Sequence, residues 1–169
     1  MTPAGNYKKE IIKSVSEEFL NLSPKPNNKK TYKYIWISRQ NTGKRKIENF
    51  DEIEKILNKY SFTILQFENL SFSEQIRIVN NCEILGGVHG AGLVNMLFLN
   101  KKAKIIELRG KNDSKNNCFF TLASDLELDY YYHLSETISE DYYSTNHVVN
   151  PYLFEKFIKE LMADIVTNT

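Results

Sequence analysis

Five short apolar runs set the limits on what this chain can fold into: YKYIWIS at 32–38, FTILQF at 62–67, CEILGGV at 82–88, AKIIEL at 103–108 and LDYYYHL at 128–134. Each is rich in β-branched and aromatic residues and has the length of a strand. The segments around them carry a helical period instead. Ile11, Ile12, Val15 and Phe19 line one face of a predicted helix over 7–22, which SPKPNNKK at 23–30 breaks. Asn49 with Glu52 three positions on resembles a capping box before Phe50, Ile53, Leu57 and Tyr60. Ser71 and Glu74 form a second such box before Phe72, Ile76 and Val79. LVNMLF at 93–98 reads as a helix, and another is expected near 116–125. Asn150-Pro151 supplies an N-cap and a first-turn proline for a last helix, whose apolar stripe is Leu153, Phe154, Phe157, Ile158, Leu161, Met162 and Ile165.

Apolar strands alternating with helices predict an α/β fold: a Rossmann-like parallel sheet of about five strands with helices on both faces. Adjacent right-handed crossovers make 3-2-1-4-5 the expected strand order. No internal repeat or linker divides the 169 residues, so 1–169 is read as a single domain.

The net charge of +1 favours neither nucleic acid nor an anionic membrane as partner. No run approaches the roughly 20 apolar residues of a transmembrane segment, and the first residues lack the apolar core of a signal peptide. Cys82 and Cys118 both lie in apolar surroundings and read as small buried side chains in a reducing compartment. A cytoplasmic location is therefore expected, with membrane association left open, and a secretory lumen if the chain is a fragment. Three Asn-x-Ser patterns, at Asn21, Asn69 and Asn112, are weak evidence in an Asn-rich chain.

Four of the seven glycines fall in LGGVHGAG, where the third run gives way to the next helix. In doubly wound folds ligands bind beyond the carboxyl ends of strands. His89, Gly90, Ala91 and Gly92 sit at such an end, where glycine lets backbone approach a ligand and unpaired N–H groups attract an anion. Gly86, Gly87, Gly90 and Gly92 are equally compatible with close strand–helix packing alone, and His89 with a satisfied, partly buried side chain. Arg39 follows the first strand, with Lys44 and Arg45 in the loop behind it, and arginine suits bidentate phosphate contacts. Glu107, near the end of the fourth strand, is placed to accept from ribose hydroxyls, or else to pair with Arg109 or Lys104. Asn49 reads mainly as a cap and Gln75 mainly as an exposed helix residue. A phosphate cradle, a cation and a ribose acceptor on one sheet edge predict a nucleotide site. DLELD (Asp125, Glu127, Asp129) precedes a strand and reads as an acidic turn, and His89, His133 and His147 lack ligand spacing, so no metal is expected.

YIWISR, RKIENFDEI, LSFSEQIRIVNNCEILGGVHGAGLVNMLFL and KIIEL, taken in order, resemble the C-terminal domain of glycosyltransferase family 61 from about Tyr34 to Leu108. The resemblance implies half of a two-domain GT-B enzyme, the half that binds the nucleotide sugar. It assigns Arg39 to the ISR segment, Arg45 and Asn49 to the R…N segment and Gln75 to EQ. His89, Gly90, Ala91, Gly92 and Asn95 belong to HGAGLVN, and Glu107 to IEL. Phe50 stands where the family has an acid. The expected activity is inverting and metal-independent transfer from a nucleotide sugar, taken as UDP-linked, to a glycan or protein hydroxyl, as in capsular polysaccharide biosynthesis. The nucleotide sugar is a substrate, and no cofactor is implied. An N-terminal acceptor domain is the implied partner, and the catalytic base is assigned to no residue. Two alternatives stand beside it. One is a non-catalytic nucleotide-binding module. The other is a dinucleotide-binding oxidoreductase domain, which Gly90-x-Gly92 imitates although Asn95 occupies its third glycine position.

Overall fold

The computed structural model describes residues 8–22, 31–113, 116–141 and 144–167. All five apolar runs form strands: β1 Tyr34–Ile37, β2 Phe62–Leu65, β3 Ile84–Val88, β4 Lys104–Gly110 and β5 Asp129–Thr137. The helices are α1 Lys9–Leu22, α2 Phe50–Lys59, α3 Phe72–Asn80, α4 Cys118–Asp125 and α5 Pro151–Thr167. The helix break expected at 23–30 lies outside the described residues. The Ser71–Glu74 capping box opens α3 as expected, and the Asn150 carboxamide oxygen accepts from the Leu153 N–H at the start of α5. No helix among the described residues is long and apolar enough to cross a membrane.

Alternation along the strands divides the core between two faces. Ile35, Ile37, Leu85 and Ile105 face α3, α4 and part of α1, while Trp36, Ile84, Ile106 and Leu108 face α2 and α5. Five strands run parallel, but among the described residues the sheet has six. A short β6, His147–Val148, pairs antiparallel with the end of β5. Two residues between polar loops carry no strand period, which is why the sequence pattern does not reveal it.

The strand order is β2-β1-β3-β4-β5-β6, which corrects the expected 3-2-1-4-5. The reason is steric. In β3, Gly86 stands in register between Trp36 of β1 and Ile106 of β4. A β-carbon on Gly86 would sit 2.8 Å from the Trp36 indole and 3.3 Å from Ile106. The glycine opens the space that the fully buried indole fills, so β3 lies beside β1. Partly exposed β2 takes the edge. The chain therefore reverses direction across the sheet between β1 and β3. In this order a crevice opens at their carboxyl ends, the place where doubly wound folds bind ligands.

Gly86→Ala tests this packing. Overfilling the Trp36 site is expected to cost about 1–3 kcal/mol in urea unfolding; an unchanged midpoint contradicts the steric account.

Candidate functional site

The β1 chain leaves the sheet through Ser38 and Arg39 into a loop that returns at Ile47. The Gln40 side chain ties this loop, donating to the Ile47 carbonyl at 2.8 Å and accepting from its N–H at 3.0 Å. A second tie comes from residues 146 and 147: Asn146 Oδ1 accepts from the Lys46 N–H, and the His147 N–H donates to the Lys46 carbonyl at 2.8 Å. Between these ties Arg45 adopts φ 60°, a left-handed conformation uncommon for a residue other than glycine. The turn sends its guanidinium back over the sheet edge, where Nη1 donates to the His89 carbonyl at 2.9 Å. Lys44 stays exposed.

Arg39 arrives at the same point from β1. A β-carbon at Gly90 would meet Arg39 Nη1 at 3.0 Å and Arg45 Nη1 at 3.4 Å. Both arginines are half-buried, both Nε atoms are buried without a partner, and neither guanidinium forms an ion pair among the described residues. Burial lowers both pKa values from the usual arginine range, and the Arg45 charge lowers that of Arg39 further. Glu68, in the same cleft, acts favourably on the Arg39 charge without forming an ion pair with it. Two desolvated like charges with no paired counter-ion are unfavourable, and an anion between them relieves both penalties.

The helix expected over 93–98 is present as a 3-10 helix, Ala91–Phe98. Asn95 Nδ2 donates to the Gly92 carbonyl at 3.1 Å, so a side-chain amide competes for the group that α-helical pairing would use. The first bond of the segment joins the Leu93 N–H to the Gly90 carbonyl. The Ala91 and Gly92 amides come before it and have no partner within the helix. Gly92 packs on Ile37, whose Cγ2 would lie 3.1 Å from an added β-carbon.

Arg39, Gln75, Ala91, Gly92 and Asn95 line one cleft of about 270 Å³, together with Thr42, Phe67 and Glu68. Gln75 is a wall of this cleft rather than a free surface group. It donates to the Phe67 and Leu70 carbonyls and accepts from Asn95 Nδ2 at 3.1 Å. Asn95 Oδ1 is buried without a partner. A larger hollow of about 470 Å³ between α2 and α5 shares none of these residues.

Two expected residues are engaged within the protein. Asn49 makes no side-chain cap, which corrects the capping box expected at Asn49–Glu52. Its carboxamide pairs with both backbone groups of Val149 and donates to Glu52. That exchange ties the start of α2 to the start of α5 and uses the groups a cap would need. Glu107 is 1% exposed at its side chain. One oxygen binds His89 Nδ1 and the other accepts from the Tyr130 hydroxyl, so a ribose hydroxyl would have to displace one of them. Lys104 pairs with Asp129 instead, while Arg109 Nε lies 4.0 Å from Glu107. Asp129 and Glu127 of the acidic turn thus have basic partners, Glu127 accepting from Lys9 and Lys13.

His147 was not singled out from the sequence, where an isolated histidine in a polar loop carries no signal. It is 2% exposed. Nδ1 bonds to Ser135 Oγ at 2.7 Å, and Nε2 is buried without a partner. Burial, then the charges of Arg45, His89 and Arg39, hold its pKa down at about 4.

The family model described as Glycosyltransferase 61 matches residues 3–106. Over 107 residues, 62% of the chain, the sequence is 37% identical to the EGF domain-specific O-linked N-acetylglucosamine transferase of Drosophila melanogaster. The proteins of that name from Gallus gallus and Mus musculus are each 36% identical over 94 residues, 53% of the chain. The matched stretch is 20% of the fly protein and 17% and 18% of the other two, so the chain spans about a fifth of the length of these relatives.

Because the folded-state pKa of His147 lies below the ordinary value, the unfolded chain binds the proton more readily. Stability is then present above about pH 6.5 and is lost as pH falls toward 4, by up to about 3 kcal/mol. His133, lowered by burial, adds a loss of the same sign. Urea titrations across this range should show a shallower pH dependence for His147→Asn than for the parent; equal slopes contradict the assignment.

Proposed function

The chain belongs to glycosyltransferase family 61, and from that premise we propose that it is the nucleotide-sugar-binding half of an inverting, metal-independent glycosyltransferase of GT-B architecture. One observation carries the reading: Arg39 and Arg45 converge on Gly90 and neither is ion-paired among the described residues, Glu68 of the same cleft acting on Arg39 only from a distance. A diphosphate supplies the missing charge. Arginine provides several donors in a planar fork that matches phosphate oxygens, and the free amides of Ala91 and Gly92 add donors at the same place.

The cleft beside Arg39 supports a position for the nucleoside. Its volume suits a base and ribose, and its polar lining of Thr42, Glu68, Gln75 and Asn95 offers both donors and acceptors. The diphosphate then lies at Gly90, and the sugar projects away from the sheet edge toward an acceptor. In transfer, an acceptor hydroxyl of a glycan or protein attacks the anomeric carbon and the nucleoside diphosphate departs. The two guanidiniums and the amides stabilise the charge that develops on the leaving phosphate, the task a metal ion performs in other sites. A base must take the acceptor proton. In this reading the base and the acceptor site belong to an N-terminal domain elsewhere in a longer protein, which the much greater length of the relatives supports. A UDP-linked donor is in keeping with relatives named as N-acetylglucosamine transferases.

Arg39→Ala and Arg45→Ala should each weaken UDP binding by about 1.5–3 kcal/mol, the worth of a charge-assisted hydrogen bond, and change uridine binding little. Titration calorimetry with the two ligands measures the difference. Equal losses for both would mean that the arginines do not contact phosphate.

A further inference from the structure

The His89 side chain does not point freely at the proposed anion site. Asn116 Nδ2 stands 3.0 Å from His89 Nε2. An amide N–H can only donate, so Nε2 is the acceptor and the ring proton sits on Nδ1, donated to Glu107. Glu107 is buried with a second hydrogen bond from Tyr130. Arg109 Nε lies 4.0 Å from the same carboxylate, its guanidinium held in place by donating to the Asp113 and Asn116 carbonyls and to Asn117 Oδ1. The His89 ring also meets the edge of Phe119 at a centroid distance of 4.9 Å. The imidazole is thus fixed in one tautomer, with a buried carboxylate on Nδ1 and a lone pair on Nε2 that accepts from Asn116.

That arrangement leaves Nε2 as the ring atom that can take up a proton. The backbone of the same residue carries Arg45, and the next residue is Gly90. We propose that Glu107 is a positioning residue that couples diphosphate binding to the uptake of one proton at His89 Nε2. The inference rests on the nucleotide-sugar reading above. The bound anion draws a proton from solvent onto Nε2, and the Glu107 carboxylate, already hydrogen-bonded to Nδ1–H, stabilises the imidazolium that results. No covalent bond breaks. Nε2 changes from acceptor to donor, so Asn116 must release it or turn its carboxamide oxygen toward it, and His89 gains a hydrogen bond to offer the phosphate.

The groups that bear on this proton are few and lie on every element around the ring. Glu107 and Arg109 come from β4 and Tyr130 from β5. Asp113 pairs with Arg109 at 3.7 Å in the following loop. Arg39 and Arg45 come from the loop after β1, and the Cys118 thiol at the start of α4 feels the Glu107 charge. His147 senses Arg45, His89 and Arg39.

UDP-N-acetylglucosamine is the suitable probe, because its diphosphate is a diester, whereas the terminal phosphate of UDP is expected to titrate near pH 6, as phosphate monoesters do. Calorimetry in buffers of different ionisation heat counts the protons taken up on binding. The account expects uptake that approaches one proton toward the alkaline end of the binding range, with affinity falling up to about tenfold per pH unit there. His89→Gln should bind more weakly and take up none, and Glu107→Gln should reduce the uptake. Binding by the parent chain without uptake, or uptake that persists in His89→Gln, overturns the proposal and leaves the nucleotide site standing. Absence of any binding by the parent chain removes the nucleotide-sugar reading itself, and this inference with it.

Discussion

Trp36 occupies the space that a side chain at position 86 would take, and the site depends on that exchange. It seats β3 directly beside β1, so that the chain turns back across the sheet between them. Arg39, which ends β1, and Gly90, which follows β3, become neighbours for the same reason. With β2 between the two strands, as the expected order required, the first arginine would stand a strand further away and would not meet Arg45 at Gly90.

The four clustered glycines divide their work accordingly. Gly86 yields to Trp36, and Gly87 lies against Ile37 with an added β-carbon 3.2 Å from its carbonyl oxygen. Gly92 packs on Ile37 from the 3-10 segment, and Gly90 alone faces the two guanidiniums. Packing and, in the proposed function, ligand approach are therefore successive roles along one segment. The loop that carries Arg45 is held just as firmly. Gln40 closes it from within and residues 146–147 close it from outside, which sustains the φ of 60° that aims the side chain. A residue held in that region is often found where the surrounding structure has a function to fix.

Much of this was legible in the sequence. The strands, the α3 capping box and the last helix start follow from local periods and cap chemistry, which act over a few residues. The convergence of Arg39, Arg45 and Gly90 was anticipated as a basic loop facing a glycine turn, because both follow strand ends. What was missed depends on partners distant in the chain. Asn49 has the residue type of a cap, but Val149, a hundred positions away, claims its carboxamide. Glu107 stands where a ribose acceptor would, yet Tyr130 and His89 use both its oxygens. LVNMLF is helical as expected, and only its 3-10 pairing, which goes with the bond its own Asn95 makes to Gly92, was not legible. Strand order is the clearest case: crossover rules supply a default, and the indole at Trp36 overrides it.

The central claim is that the anion lies at Gly90 between two arginines. The direct measurement is amide and arginine Nε chemical-shift mapping by NMR as UDP-N-acetylglucosamine is added to the chain. The account predicts the largest shifts at Arg39 and Arg45 Nε and at the Gly90, Ala91 and Gly92 amides, with smaller ones at Thr42 and Gln75. Shifts centred instead on Lys59, Tyr152 and Lys159, in the hollow between α2 and α5, would contradict it.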